Sequence, residues 1–171
     1  IVPKATAKKL ISMGVIDDVT LTYTKNSAVF KSDEYTIYTR LIEGKYFAYQ
    51  KMFTEGEINT CASRTALIGA MTRAKMCTEE KQPAVFQIED DVLNISIRDK
   101  LADYQEQVPL QETVCKSIRL GFDSRLVLET LKAFTCDNIA LGFTSPRTPM
   151  IVEAEDSDMK AMVLPVAIRE V

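Results

Sequence analysis

The feature that most constrains this chain is an internal repeat, in which a helical pattern followed by alternating strands occurs three times at intervals of about 60 residues. The first copy places Leu10, Ile11 and Met13 on a helical face, with Pro3 suited to the first helical position. The second begins at Ser63, a good N-cap, and puts Leu67, Ile68 and Met71 on one face. The third begins at Asp123 and uses Leu126, Val127, Leu131 and Phe134. Leu10, Met71 and Leu131 fall at matching places, 61 and then 60 residues apart.

After each helix the apolar period switches from 3.6 to 2, the mark of strands with one buried face. Val19, Leu21 and Tyr23 alternate before a Lys25-Asn26-Ser27 turn, and Ala28 and Phe30 return from it. Phe86 and Ile88 lead to a turn at Glu89-Asp90-Asp91, and Leu93, Ile95 and Ile97 return. Ile139, Leu141 and Phe143 precede a turn from Pro146 to Pro149, then Met150 and Val152. Each copy closes with one more strand, holding Ile37, Thr39 and Leu41, then Val108 and Leu110, then Met162 and Leu164. The fold class is therefore α+β, built from units of one helix on a small antiparallel sheet. Such a unit leaves an apolar face uncovered, so units are expected to pair and share a core. Three units make one pair and an orphan.

Charge is distributed by element. The first helix carries Lys4, Lys8 and Lys9 and the second carries Arg64, Arg73 and Lys75, neither with an acid. The third balances Arg125 and Lys132 against Asp123 and Glu129, while the rest of the chain holds 13 basic and 22 acidic residues. Helices sharing a concave surface would attract phosphates there and repel them outside, without regard to base sequence.

Composition removes several functions. No apolar run approaches the roughly 18 residues that span a bilayer, so no membrane partner is expected. Cys61, Cys77, Cys115 and Cys136 lack the close spacing of zinc or redox motifs and read as reduced thiols of a cytoplasmic protein. Histidine is absent, which takes away the commonest general base and metal ligand. The acidic groups Glu89, Asp90, Asp91 and Glu153, Glu155, Asp156, Asp158 would be the metal site of a small enzyme, but both fall at turns, where acids are usually solvated. The start at Ile1 reads as a cut inside a longer protein.

Four segments carry a resemblance to the beta subunit of bacterial DNA polymerase III, the sliding-clamp family. Ile1-Val2-Pro3-Lys4 resembles the family's Val-x-Pro-Arg/Lys approach to a helix of domain two, and Leu41 to Tyr49 is similar to its Leu-Val-Asp/Glu-Gly-Arg/Lys-Phe-Pro-Asp-Tyr segment. Gly121-Phe122-Asp123 with Leu126 and Leu131 resembles its Gly-Phe-Asn helix start, and Met162-Val163-Leu164-Pro165-Val166 its closing Val-Val-Met-Pro-Met. The resemblance implies a DNA-clamp fold in which residues 1–54 are half of a second domain and 55–171 a whole third domain. It implies a non-catalytic processivity factor, without cofactor or metal, whose full-length form closes into a head-to-tail dimeric ring around double-stranded DNA.

The same resemblance assigns residues. Lys4, Lys8, Lys9, Arg64, Arg73, Lys75, Arg125 and Lys132 would face DNA. Met76, Cys77, Asp103 and Glu106 would lie in the ring interface. A hydrophobic groove that takes linear motifs of the polymerase catalytic subunit, clamp loader and repair proteins would be walled by Phe47, Lys51, Met52, Asp123, Leu126, Arg147, Pro149, Met162, Leu164, Pro165 and Val166. Two departures touch that groove: Tyr46-Phe47-Ala48-Tyr49 stands where the family has Phe-Pro-Asp-Tyr, and Ala167 where it has Arg. They leave open a clamp-like protein of a phage or mobile element with altered partners. The family's Asp-Gly-His-Arg-Leu groove segment belongs upstream of this sequence, so the chain alone is expected neither to encircle DNA nor to offer a complete groove.

Overall fold

Where the apolar period changes, the backbone changes with it. The computed structural model describes residues 1–14, 18–77, 82–98, 103–154 and 158–168. It divides into two units, Ile1–Tyr49 and Gln50–Val171, where the sequence reading put the boundary after residue 54. Among the described residues no helix is long and apolar enough to cross a membrane.

In the first unit, helix α1 (Lys4–Ser12) is followed by a three-stranded antiparallel sheet of β1 (Thr20–Tyr23), β2 (Ser27–Lys31) and β3 (Thr36–Arg40), in that order. The expected turn holds, with Thr24 and Ser27 hydrogen-bonded across it at 2.7 Å. Helix and sheet are tied by the Thr6 and Thr39 hydroxyls, 2.8 Å apart. Pro3 sits at the N-cap, one residue earlier than expected, and its carbonyl accepts from the Ala7 amide. Ile11, expected on the buried face, is 80% exposed. Ala28 is the one buried apolar residue of this unit among those described. A lone half pair has no second face to close a core.

The second unit contains a pair of helices and a real core. Strand β4 (Ile58–Ser63) runs into helix α2 (Arg64–Met76), and Ser63 Oγ accepts from the Ala66 amide as N-cap. Strands β5 (Ala84–Arg98) and β6 (Asp103–Phe122) form a long hairpin, and β6 leads into helix α3 (Ser124–Ala133), capped by Asp123. Strands β7 (Asn138–Phe143), β8 (Met150–Ala154) and β9 (Lys160–Val163) follow, giving the sheet order β5-β6-β4-β7-β8-β9. Leu67, Met71, Phe86, Phe122, Leu131 and Ile139 are fully buried between helices and sheet, and the Phe86 and Phe122 rings meet edge to face at 5.1 Å.

Three expectations are corrected. Glu89-Asp90-Asp91 is no hairpin turn, because β5 continues through it to Arg98 with shifts of register around Asp90 and pairs with β6 on both sides of it. Asp90 does adopt the left-handed conformation that favours turn residues, at φ 53°, but the result is a kinked strand. On α3 the inward positions are Val127, Leu128 and Leu131, so Leu128 takes the place expected for Leu126, which is 51% exposed. Strand β4 and the far half of β6 were not foreseen, although Ile58, Thr60, Ala62 and then Ile118, Leu120, Phe122 alternate inward. Of the second acidic group, Glu155 and Asp156 lie outside the described residues.

Candidate functional site

The basic residues assigned to DNA are carried by the three helices, of which α2 and α3 bury one face and α1 buries none of its residues. Lys4, Lys8 and Lys9 are exposed on α1, and among the described residues none of them is ion-paired. In the second unit α2 packs against α3, with Leu67, Ala70, Met71 and Ala74 of α2 buried. The cations on this pair differ in how free they are. The Arg64 Nε donates to the Cys136 carbonyl at 2.6 Å, tying the start of α2 to the segment after α3. Arg125 pairs with Asp123, 3.1 Å away. Lys75 and Lys132 are exposed.

Arg73 and Glu106, assigned from sequence to two different surfaces, are partners of one another. The guanidinium donates from Nε to Glu106 Oε2 at 2.8 Å and from Nη2 to Oε1. The Tyr104 hydroxyl lies within hydrogen-bonding distance of both the Ala70 carbonyl, at 2.9 Å, and Glu106. This group couples α2 to the start of β6. The Arg73 guanidinium holds the Glu106 carboxyl below its ordinary value, Tyr104 adding to the effect, and burial pushes the Tyr104 phenol up. Of the other residues assigned to the ring interface, Met76 at the end of α2 is 82% exposed, Cys77 half-buried and Asp103 exposed.

The residues assigned to the groove fall into three places. Phe47 belongs to the first unit, where its ring stacks on Tyr46 at 4.9 Å and meets Tyr49 edge-on at 6.3 Å, leaving an exposed aromatic trio. Lys51 and Met52 lie in the short 3-10 turn Tyr49–Met52. Asp123 and Leu126 begin α3, Arg147 and Pro149 occupy the turn between β7 and β8, and Met162 lies on β9, followed by Leu164, Pro165 and Val166.

One cleft of about 460 Å³ gathers Arg147, Pro165 and Val166 with Arg119, Leu120, Gly121, Pro146, Ala167 and Ile168. Asp123, Leu126, Pro149, Met162 and Leu164 do not line it. The cleft owes its shape to the chain after β9. The Val166 amide donates to the Gly121 carbonyl at 2.8 Å, adding one bridge to the edge of β6 that β4 leaves free. A Cβ on Gly121 would lie 2.8 Å from the Val166 carbonyl oxygen and 3.0 Å from the Ile168 side chain, so only glycine admits this approach. Arg119 had no role in the sequence reading. Its strand, the far half of β6, was the element not foreseen.

Asp123 performs a local task. Its Oδ1 accepts from the Arg125 amide at 2.9 Å, and the Arg125 side chain, with this backbone bond, holds its pKa below the ordinary aspartate range. Among the described residues there is no cluster of three or more acidic or cysteine side chains placed to share a metal ion.

Comparison with known proteins gives one consistent answer. The family described as DNA polymerase III beta subunit, C-terminal domain, matches residues 53–167. The chain is 24% identical over 155 residues to the beta sliding clamp of Staphylococcus aureus, a match covering 88% of this chain and 41% of that protein. It is 25% identical over 140 residues to the beta sliding clamp of Halalkalibacterium halodurans, covering 79% and 37%. The solved DNA polymerase III subunit beta of Pseudomonas aeruginosa superposes with a TM-score of 0.88 at 20% identity, over 98% of this chain and 48% of that one. The sliding clamp of Bartonella birtlesii bound to griselimycin gives 0.87 at 17% identity, over 98% and 47%. The chain thus spans less than half the length of these relatives. At such identities the solved structures establish the clamp fold.

Proposed function

The chain belongs to the DNA polymerase III beta subunit family and has the sliding-clamp fold, and from that premise we propose that it acts as part of a processivity clamp. In this reading the protein is a cytoplasmic, non-catalytic accessory subunit. Its full-length form encircles duplex DNA as a head-to-tail dimer and tethers the polymerase, the clamp loader and repair proteins by their short linear motifs.

The observation that carries the reading is the packing of α2 against α3 in one unit. It supports treating Arg64, Arg73, Lys75, Arg125 and Lys132 as parts of one DNA-facing layer, and Lys4, Lys8 and Lys9 are read as the DNA-facing residues of the first unit by themselves. Contacts of this kind go to phosphates, hold no sequence information and weaken with salt. Arg73 reaches DNA in competition with Glu106, and Arg64 keeps only part of its donor capacity for it, so Lys132 and the α1 lysines carry much of the attraction. Met76, Cys77 and Asp103 remain candidates for the ring interface, beside the edge strand β5.

The peptide groove is read from Met162, Leu164, Pro165 and Val166 with Arg147, Pro149, Asp123 and Leu126, and with Lys51 and Met52 as further wall. Burying two or three apolar anchors yields about 1.5 to 3 kcal/mol each, against an association cost of about 4 kcal/mol or more. Affinities in the micromolar range or weaker follow, which suits partners that must exchange. The test is a titration of the isotopically labelled full-length protein with a short peptide bearing a leucine and a phenylalanine anchor, followed by amide chemical shifts. Shifts at Met162, Leu164 and Val166 that weaken about tenfold on Leu164→Ala are expected. A spectrum unchanged at millimolar peptide sinks the groove assignment.

A further inference from the structure

The cleft at the end of β6 carries two features that do not belong together in a purely apolar groove. Its lining is mostly apolar, with Leu120, Pro146, Pro165 and Val166, yet two guanidinium groups, Arg119 and Arg147, stand on it. Among the described residues neither arginine has a carboxylate partner. Both are held on fixed backbone. Arg119 is paired across the sheet with Gln87. Arg147 sits in a turn in which its amide donates to Ser145 Oγ at 3.3 Å and the Ser145 amide donates to Thr148 Oγ1 at 2.9 Å.

Other donors are scarce in this cleft. Pro146 and Pro165 have no N–H, and the Val166 amide is spent on the Gly121 carbonyl. The arginines are the charged donors among the lining residues that a negative group entering the cleft would meet. We propose that Arg119 and Arg147 make this clamp select docking peptides with an acidic flank beside their apolar anchors, Arg119 acting as a specificity determinant. A nucleic-acid backbone fits less well, because a phosphodiester track offers nothing to the apolar lining that makes up most of the surface. The inference rests on the peptide-binding reading given above and adds the class of peptide.

The experiment compares two peptides with the same leucine and phenylalanine anchors, one flanked by Glu-Glu and the other by Gln-Gln, titrated against the full-length protein and its Arg119→Gln variant. An exposed arginine–carboxylate pair is modest, so the acidic peptide should bind about three- to tenfold tighter, with the preference shrinking as salt rises. Arg119→Gln should reduce the preference and leave the glutamine-flanked peptide unaffected. Retention of the variant's amide spectrum outside the cleft confirms that it folds. Equal affinities for the two peptides overturn the inference while leaving the groove reading in place. A preference that survives Arg119→Gln removes Arg119 from the determinant and overturns it too. If neither peptide binds, groove and flank fall together. If instead a short DNA duplex shifts the Arg119 and Arg147 resonances and the acidic peptide does not, the arginines form a phosphate site and the inference fails.

Discussion

Glu106 shows how one side chain can serve a local purpose that its sequence context hides. It accepts two bonds from Arg73 and lies against the Tyr104 hydroxyl, so its charged form is favoured and its folded pKa falls below the ordinary glutamate value of 4.5. A group depressed on folding stabilises the protein above its unfolded value, and that stabilisation disappears as pH falls through the folded value. Glu106→Gln should therefore lower the urea midpoint at pH 7, and the gap to wild type should close as acid protonates the native carboxylate; a gap constant down to pH 3 would deny the ion pair its role. Tyr104→Phe removes a hydroxyl that bridges helix and strand, and should cost about 1 kcal/mol in denaturant unfolding. Gly121 is the third residue of this kind. An alanine there would press on the Val166 carbonyl and Ile168, so Gly121→Ala should cost roughly 1 to 3 kcal/mol and speed hydrogen exchange at the Val166 amide; an unchanged exchange rate would mean that the bridge to β6 does not hold the cleft.

At the scale of elements, the helices, the β7–β8 hairpin and the N-cap at Ser63 were all legible because each is encoded within a few residues of itself. Periodicity identified α3 but placed Leu126 inward, since Leu126, Val127 and Leu128 are consecutive apolar residues and a helical wheel can turn either flank toward the core. Packing decides, and it chose Leu128, which is 6% exposed. Leu128→Ala should accordingly cost about 2 to 5 kcal/mol and Leu126→Ala about 0.5 kcal/mol or less, measured by chemical denaturation; equal costs would restore the sequence-based register. The acidic run at 89–91 misled for the opposite reason. Asp90 has the backbone of a turn residue, but β6 supplies hydrogen-bonding partners on both sides of it, so the strand bends where an isolated segment would reverse. The far half of β6, and with it Arg119, escaped because its inward positions begin with Val114 and Ile118, four residues apart, which reads as neither clean period. The pairing of Arg73 with Glu106 was beyond reach of any local rule, being a matter of how a helix lies on a strand 33 residues away.

For the whole molecule, one helix on a small sheet buries little unless a second apolar layer covers it, and the described residues offer a direct comparison between a unit with two packed helices and a unit with one. In Gln50–Val171 two helices and six strands enclose a continuous core, whereas in Ile1–Tyr49 the described residues bury only Ala28 and Thr39, and Ile11, Leu21 and Tyr23 stay exposed. Hydrophobic burial is the main term that offsets the entropy of ordering a chain, so the two units cannot be equally stable. Native-state hydrogen exchange on this chain should show it. Amides of Ser27–Lys31 and Thr36–Arg40 should exchange through openings of about 1 to 2 kcal/mol, while amides in the paired stretches of β5 and β6 should exchange only at the global unfolding free energy, on the order of 5 to 15 kcal/mol. If both sets exchanged with one common free energy, the first unit would be part of a single cooperative fold and the account of it as half of a pair would be wrong. If the gap is found, adding the complementary half unit of a clamp domain in trans should raise protection in Ser27–Lys31 and leave β5 and β6 unchanged, because only the first unit has an uncovered face to fill.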